Sequence, residues 1–278
     1  VAIGHGALKV QDFDTETSAY NVAVGYHAGV AITTGVQNTI IGALAGDALT
    51  DADVNTAVGY FALGTDTLGS RSTAFGYAAL ALQNFTTATN TFNTAVGFEA
   101  GGAVTTGIEN TFIGGLAGDA TTDADYNVAL GARALGTNQL GSRSVALGRG
   151  ALETQNPATA TDMYNTAVGY AAGLNVTTGT NNTLIGGLAG DALTTGDQNV
   201  AVGTGALSTD DVGKFSTAIG YAALNAQNFA TATNTYNVAV GHSAGLSVTT
   251  GIFNVLIGGL AGDAITDADF NVAVGTNT

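Results

Sequence analysis

The fold class predicted by the sequence is all-β: a parallel β-solenoid, or β-roll, of about sixteen short coils. Three observations predict it. A glycine closes an "A-V-G"-like triplet at Gly4, Gly25, Gly42, Gly59, Gly76, Gly97, Gly114, Gly131, Gly148, Gly169, Gly186, Gly203, Gly220, Gly241, Gly258 and Gly275, and the spacings 21, 17, 17 and 17 recur without exception. The residues leading into each glycine are β-branched or small and are bounded by Asn on the far side, which marks a short strand between turns. A 17-residue unit also has room for two strands and two turns but not for two connected helices, and helix caps are nearly absent.

Within a unit, each position has its own job. Asn stands four residues before the glycine in twelve of fifteen units, as at Asn21, Asn38, Asn55, Asn93, Asn110 and Asn127; Ser72, Ser144 and Ser216 fill the other three. An Asn amide bonds local backbone and tolerates positive φ, so a left-handed corner is predicted there. The strand follows, with Thr or Val first and a large apolar residue such as Val24, Ile41 or Phe75 last. The glycine closes it, making Gly25, Gly42, Gly59 and Gly97 structural positions, and Ala28, Ala45, Ala62 and Ala79 lie three residues beyond. One coil in four is four residues longer, giving a 72-residue block of four coils. Residues 1–278 therefore read as one repetitive shaft. Both ends fall inside a motif, as expected for a stretch of a longer fibrous protein.

Strand polarity adds a prediction about assembly. In "TAVG" both faces are apolar or small, the pattern of a strand buried on both sides. In the second coil of each block the central Ala is replaced by Ile40, Phe112, Leu184 and Leu256. A thin single-chain rod offers no second interior for such side chains. These four residues are predicted to lie at the contact between chains of a homo-oligomer, most simply a trimer.

Composition bounds the function. Six Lys and Arg stand against 21 Asp and Glu, a formal charge of −15, which disfavours nucleic acid and anionic membranes as partners. There is no Cys for disulfides or thiolate metal sites, no apolar run of membrane-spanning length and no signal-peptide pattern. Glu16, Glu99, Glu109 and Glu153 are scattered, and His5, His27 and His242 lack plausible ligand partners and read as solvated turn residues. The acids follow the repeat, whereas an active site breaks it. No enzyme, catalytic residue or cofactor-binding residue is predicted.

The acidic turns are the best candidates for chemistry. "GDALTDADVN" holds Asp47, Asp51 and Asp53; "GDATTDADYN" holds Asp119, Asp123 and Asp125; "GDAITDADFN" holds Asp263, Asp267 and Asp269. In "GDALTTGDQN" only Asp191 and Asp197 remain, because Thr195 replaces an acid. Several carboxylates on one turn are a calcium-binding option, although neither known calcium-loop pattern is matched. The competing expectation is an ion pair between coils, since Arg71, Arg143 and Lys214 fall almost level with Asp53, Asp125 and Asp197. The Thr pairs Thr33–Thr34, Thr105–Thr106, Thr177–Thr178 and Thr249–Thr250 recur only every fourth coil, too sparsely for an ice-binding array, and read as turn formers. Phe85 and Phe229 sit at matching places in the long coils, where Phe13 and Pro157 are their counterparts. Folding back over the coil is the expectation for them; contact with a glycan or partner filament is the alternative that makes them surface-binding candidates.

The pattern N-[TV]-A-[VIL]-G-x-x-A, with "TTG" ending at Gly35, Gly107, Gly179 and Gly251, resembles the 17-residue repeats of phage tail fibres and bacterial surface fibres. With a longer period it is also similar to the head repeats of trimeric autotransporter adhesins. The resemblance covers the whole chain; the longer fourth coil and the "GDALTDAD" turns depart from it. It implies a left-handed, trimeric parallel β-roll that is extracellular, at a cell surface or on a virion tail. It implies as partners other copies of the chain and a host or prey cell-surface glycan or protein. The function expected is the structural shaft of an attachment fibre. The alternatives are a glycan- or cell-surface-binding module that uses the long-coil ridge and, more remotely, a glycan-cleaving solenoid, which needs a carboxylate pair in one groove.

Overall fold

The computed structural model describes all 278 residues, and the chain is an all-β parallel solenoid of about sixteen turns without a helix. It forms two compact units, Val1–Leu140 and Gly141–Thr278. In the first unit the main-sheet strands are Ala2–Ile3, Val22–Val24, Thr39–Ile41, Thr56–Val58, Thr73–Phe75, Thr94–Val96, Thr111–Ile113 and Val128–Leu130. In the second they are Val145–Leu147, Thr166–Val168, Thr183–Ile185, Val200–Val202, Thr217–Ile219, Val238–Val240, Val255–Ile257 and Val272–Val274. Three of the four long coils add a two-residue side pairing, such as Gly69–Ser70 with Thr89–Asn90 in the first unit and Gly213–Lys214 with Thr233–Asn234 in the second.

All pairings are parallel, and the repeat explains why. Parallel neighbours need a crossover of about a dozen residues or more, which one coil supplies. Equal motifs then stack in register, with Thr56 beside Thr73 and Ala57 beside Ala74. The closing glycine has two reasons to be glycine. Gly59 has φ +136°, and a Cβ there would lie 2.2 Å from the carbonyl oxygen of Gly76 in the next coil.

The Asn column differs from the sequence expectation. The left-handed residue is the one before it: Tyr20 (φ 51°), Gln37 (φ 59°), Val54 (φ 59°) and Arg71 (φ 67°). The Asn itself turns inward and forms a ladder. The Asn38 N–H donates to Asn21 Oδ1 (2.8 Å), while Asn38 Nδ2 donates to the Ala52 carbonyl (2.8 Å). Asn55 repeats both bonds, to Asn38 Oδ1 (2.9 Å) and to the Gly69 carbonyl (2.9 Å). In the second unit Asn182 and Asn199 do the same. An amide that must meet the coils on either side cannot also carry the corner, so the turn is made one residue earlier.

The interior overturns the predicted inter-chain contact. The central strand residue is the one that points inward: Ala23, Ala57 and Ala95 are fully buried within a single chain, and so are Ile40, Phe112, Leu184 and Leu256. The room for these four comes from glycines in the same coil. A Cβ on Gly46 would lie 3.1 Å from Ile40, one on Gly118 2.5 Å from Phe112, one on Gly190 2.7 Å from Leu184 and one on Gly262 2.6 Å from Leu256. The coils of Ala57, Ala74, Ala129 and Ala201 carry a buried leucine opposite instead: Leu63, Leu80, Leu135 and Leu207. The same volume is filled from the strand side or from the turn side, as close packing requires.

The face left uncovered is the other one. Its columns are Thr or Val at the strand start and Ile41, Phe75, Leu130, Ile185, Ile219 and Ile257 at the strand end, all six exposed, with Phe75 at 54%. No main-sheet strand contains a charged residue.

Candidate functional site

The acidic turns serve the coil before them. Asp53 Oδ1 accepts the Val36 N–H (2.8 Å), Asp125 Oδ1 that of Ile108 (2.8 Å) and Asp269 Oδ1 that of Ile252 (2.8 Å). Asp51 and Asp123 accept the hydroxyls of Thr34 and Thr106 one coil back. Asp267 accepts from Thr266 Oγ1 (3.2 Å). No three acidic or histidine side chains gather closely enough to hold a metal ion. The calcium reading of Asp47, Asp51, Asp53, Asp119, Asp123, Asp125, Asp263, Asp267 and Asp269 is therefore corrected: the carboxylates are strung along the coil, and Asp53, Asp125 and Asp269 each cap a backbone donor.

The ion-pair expectation divides. Lys214 Nζ meets Asp197 Oδ2 at 2.6 Å, and Asp197 Oδ1 also caps the Thr180 N–H (2.8 Å). Arg71 instead points to the long coil, donating from Nε to Asn90 Oδ1 (2.9 Å) with its guanidinium 5.8 Å above the Phe92 ring. Arg143 pairs with Asp162 (2.9 Å) and lies 6.0 Å from the Tyr164 ring centre. The side pairing that sets Ser70 beside Asn90 and Ser142 beside Asp162 brings these acceptors within reach.

Phe85 and Phe229 are 7% and 6% exposed, so they close the long coil and present no surface for a ligand. The Phe85 N–H donates to Asp66 Oδ1 (3.1 Å), and its carbonyl accepts from Thr67 Oγ1 (2.7 Å). Surface binding through these two rings is thereby corrected. The Thr pairs bond the following coil, as in Thr105 Oγ1 to the Thr122 carbonyl (3.1 Å) and Thr177 Oγ1 to that of Thr194 (3.1 Å).

Two features escape a reading of single motifs. The first is a buried polar network. Asp66 Oδ1 accepts the Gly69 N–H (3.1 Å), and Asp66 Oδ2 accepts from Gln83 Nε2 (2.6 Å). Gln83 Nε2 also reaches Ser72 Oγ (2.8 Å), and Gln83 Oε1 accepts from Asn93 Nδ2 (2.8 Å). Asp210, Gln227, Ser216 and Asn237 repeat the network in the second unit. Burial pushes the Asp210 carboxyl above the ordinary range, and the nearby Asp211 charge adds to this, against the bonds from Gln227 and Gly213. Burial likewise raises Asp47 and Asp191, each of which has one carboxylate oxygen without a hydrogen-bond donor.

The second feature is a pair of aromatic ladders flanking the sheet. Tyr60, Tyr77 and Phe98 stack at 5.5 and 5.2 Å just after the closing glycines. Phe215, Tyr236, Phe253 and Phe270 stack at 5.1, 5.3 and 5.0 Å in the left-handed corner column. The histidines belong here too: His5 and His27 stack with Tyr26, and His242 with Tyr221. Aligning coils by column, rather than seeking motifs along the chain, was the signal for both features.

No protein-family model matches the chain, and no curated protein matches it in sequence. No helix is long and apolar enough to cross a membrane.

Proposed function

We propose that this chain is the repetitive shaft of an extracellular attachment fibre, a bacterial surface filament or a phage tail fibre, assembled as a homotrimer of left-handed coils. The observation that carries the proposal is the sheet's outward face. A parallel sheet ordinarily has both faces covered; here the outer one, with Thr or Val at the strand start and a large apolar residue at its end, is uncharged and half-buried to exposed. Three copies turning these faces inward would cover them, leaving the acidic turns outside. The shaft supplies reach and stiffness, and each coil buries its core against its neighbours.

Immunogold electron microscopy with antibody to the chain tests the location. Label along filaments outside the cell or on virion tails is expected. Label confined to the cell interior would overturn the reading.

A further inference from the structure

The two residues after the closing glycine vary among equivalent coils in a way the shaft role does not require. In the third coil of the first three blocks they are Tyr60 and Phe61, Ala132 and Arg133, and Thr204 and Gly205. The Phe61 ring folds over Gly64, so closely that a Cβ there would lie 2.4 Å from it. With Gly205 in its place the groove stays open, leaving a cleft of about 270 Å³. That is below the volume of a drug-sized site and suits one small ligand unit.

The walls of this cleft are of mixed chemistry. Tyr221 stacks on His242 by one face (5.2 Å); on its other side the preceding coil offers Thr204 instead of a ring, and the side chain is 57% exposed. Rings inside a stacked ladder show only their edges, so an open aromatic face arises only where a ladder is interrupted. Asn225 Nδ2 donates to the Gly205 carbonyl (3.0 Å) and to Ser208 Oγ (2.6 Å). Both amide hydrogens are thus used, which leaves Asn225 Oδ1 as an acceptor and the Ser208 hydroxyl proton as a donor. Asp191 also lines the cleft, with its carboxyl partly buried and its pKa raised by that burial.

We propose that this cleft, formed by Asp191, Thr204, Gly205, Ser208, Tyr221 and Asn225, is a binding subsite for one neutral hexopyranose unit of a glycan. An aromatic face suits the apolar C–H face of a sugar ring, and interleaved donors and acceptors suit hydroxyls, which are both. A carboxylate without a cation among the lining residues excludes uronic and sialic acids, because two like charges repel in a partly buried site. The proposal stands whether or not the chain is a fibre shaft.

The test is saturation-transfer NMR with titration of the intact chain, using the methyl glycosides of glucose, galactose and N-acetylglucosamine, with methyl glucuronide alongside. At least one neutral glycoside is expected to bind at one site per chain with Kd of about 1–10 mM, a range fitting a small open cleft. Tyr221→Ala and Asp191→Asn should each weaken it about tenfold or more. The double variant Gly205→Phe with Ser208→Gly rebuilds the closed arrangement of Phe61 and Gly64; its backbone is ready for it, since Gly205 has φ 65° and Phe61 φ 56°. It should abolish binding with the circular dichroism unchanged. Absence of binding by all three neutral glycosides at about 50 mM, well above that Kd range, overturns the proposal. So does binding that survives the double variant, or glucuronide binding as tight as the neutral sugars.

Discussion

Two neighbouring coils of the first unit have nearly the same backbone and opposite interiors. The coil of Ile40 is filled by that side chain and Leu49, both fully buried. One turn on, the place of Leu49 is taken by Asp66, equally buried, with Gln83 stacked on it in the following coil. The difference teaches that the ladder of strand, Asn and glycine does not require a wholly apolar filling, since Asp66 shares its coil with buried Leu63. It requires that whatever is inside be complete: close contacts in one coil, and donors matched to acceptors in the other.

Breaking the polar interior should have the largest effect. Asp66→Leu leaves the Gly69 and Phe85 N–H groups and one of the two Gln83 Nε2 hydrogens without an acceptor. At about 1–3 kcal/mol for each stranded donor, a loss of roughly 3–9 kcal/mol in urea unfolding is expected. The apolar counterpart is Phe112→Ala, which opens a cavity beside Gly118 and should cost about 3–5 kcal/mol by the same measurement. If either change is nearly silent, the interior of that coil tolerates incompleteness and the comparison fails.

A gain should come from the one place where the two chemistries are mixed. Thr121 holds the position of Leu49 and Leu193, is fully buried, and its hydroxyl has no partner. Its smaller size offsets the larger Phe112 in the same coil. Thr121→Val removes the stranded hydroxyl at constant volume and should stabilise by about 1 kcal/mol; an unfolding midpoint that stays put or falls would show that the hydroxyl is satisfied in solution.

The pH dependence sharpens the comparison further. Asp210 has a folded pKa above its unfolded value of 3.8, first because of burial. The folded chain holds that proton more tightly, so the associated stability is complete below the unfolded value and is lost as pH rises through the folded one. Asp210→Asn should flatten the stability curve above pH 3.8, as followed by urea midpoints at successive pH values. A curve as steep as that of the native chain would assign the slope elsewhere. Least of all should calcium matter. Adding it, or a chelator, should move the melting temperature by no more than about 1 °C, because no three acidic side chains gather closely enough to hold the ion.

The coil count and register were legible because a strict glycine spacing allows only like-on-like stacking. The inward face was not. Val24 and Ala23 are both apolar, and alternation distinguishes faces only when one is polar. Gly46 beside Ile40 and Gly118 beside Phe112 carried the missing information, since a large residue paired with a glycine in one coil fills one interior. The corner was misplaced for a related reason: Tyr20, Gln37, Val54 and Arg71 share a left-handed φ but no chemistry, so nothing in their identities marks the turn. The open cleft at Gly205 emerges only when that coil is laid beside the one containing Phe61.

Ile40, Phe112, Leu184 and Leu256 fill their own coils, and the central proposal is that the opposite sheet face joins three chains. Sedimentation equilibrium of the native chain and of the double variant Ile41→Lys, Phe75→Lys tests it most directly. The native chain of 27.4 kDa should sediment as three copies, and the variant as a folded single chain with native circular dichroism. A native protein that is a stable monomer, or a variant that remains trimeric, would contradict the account.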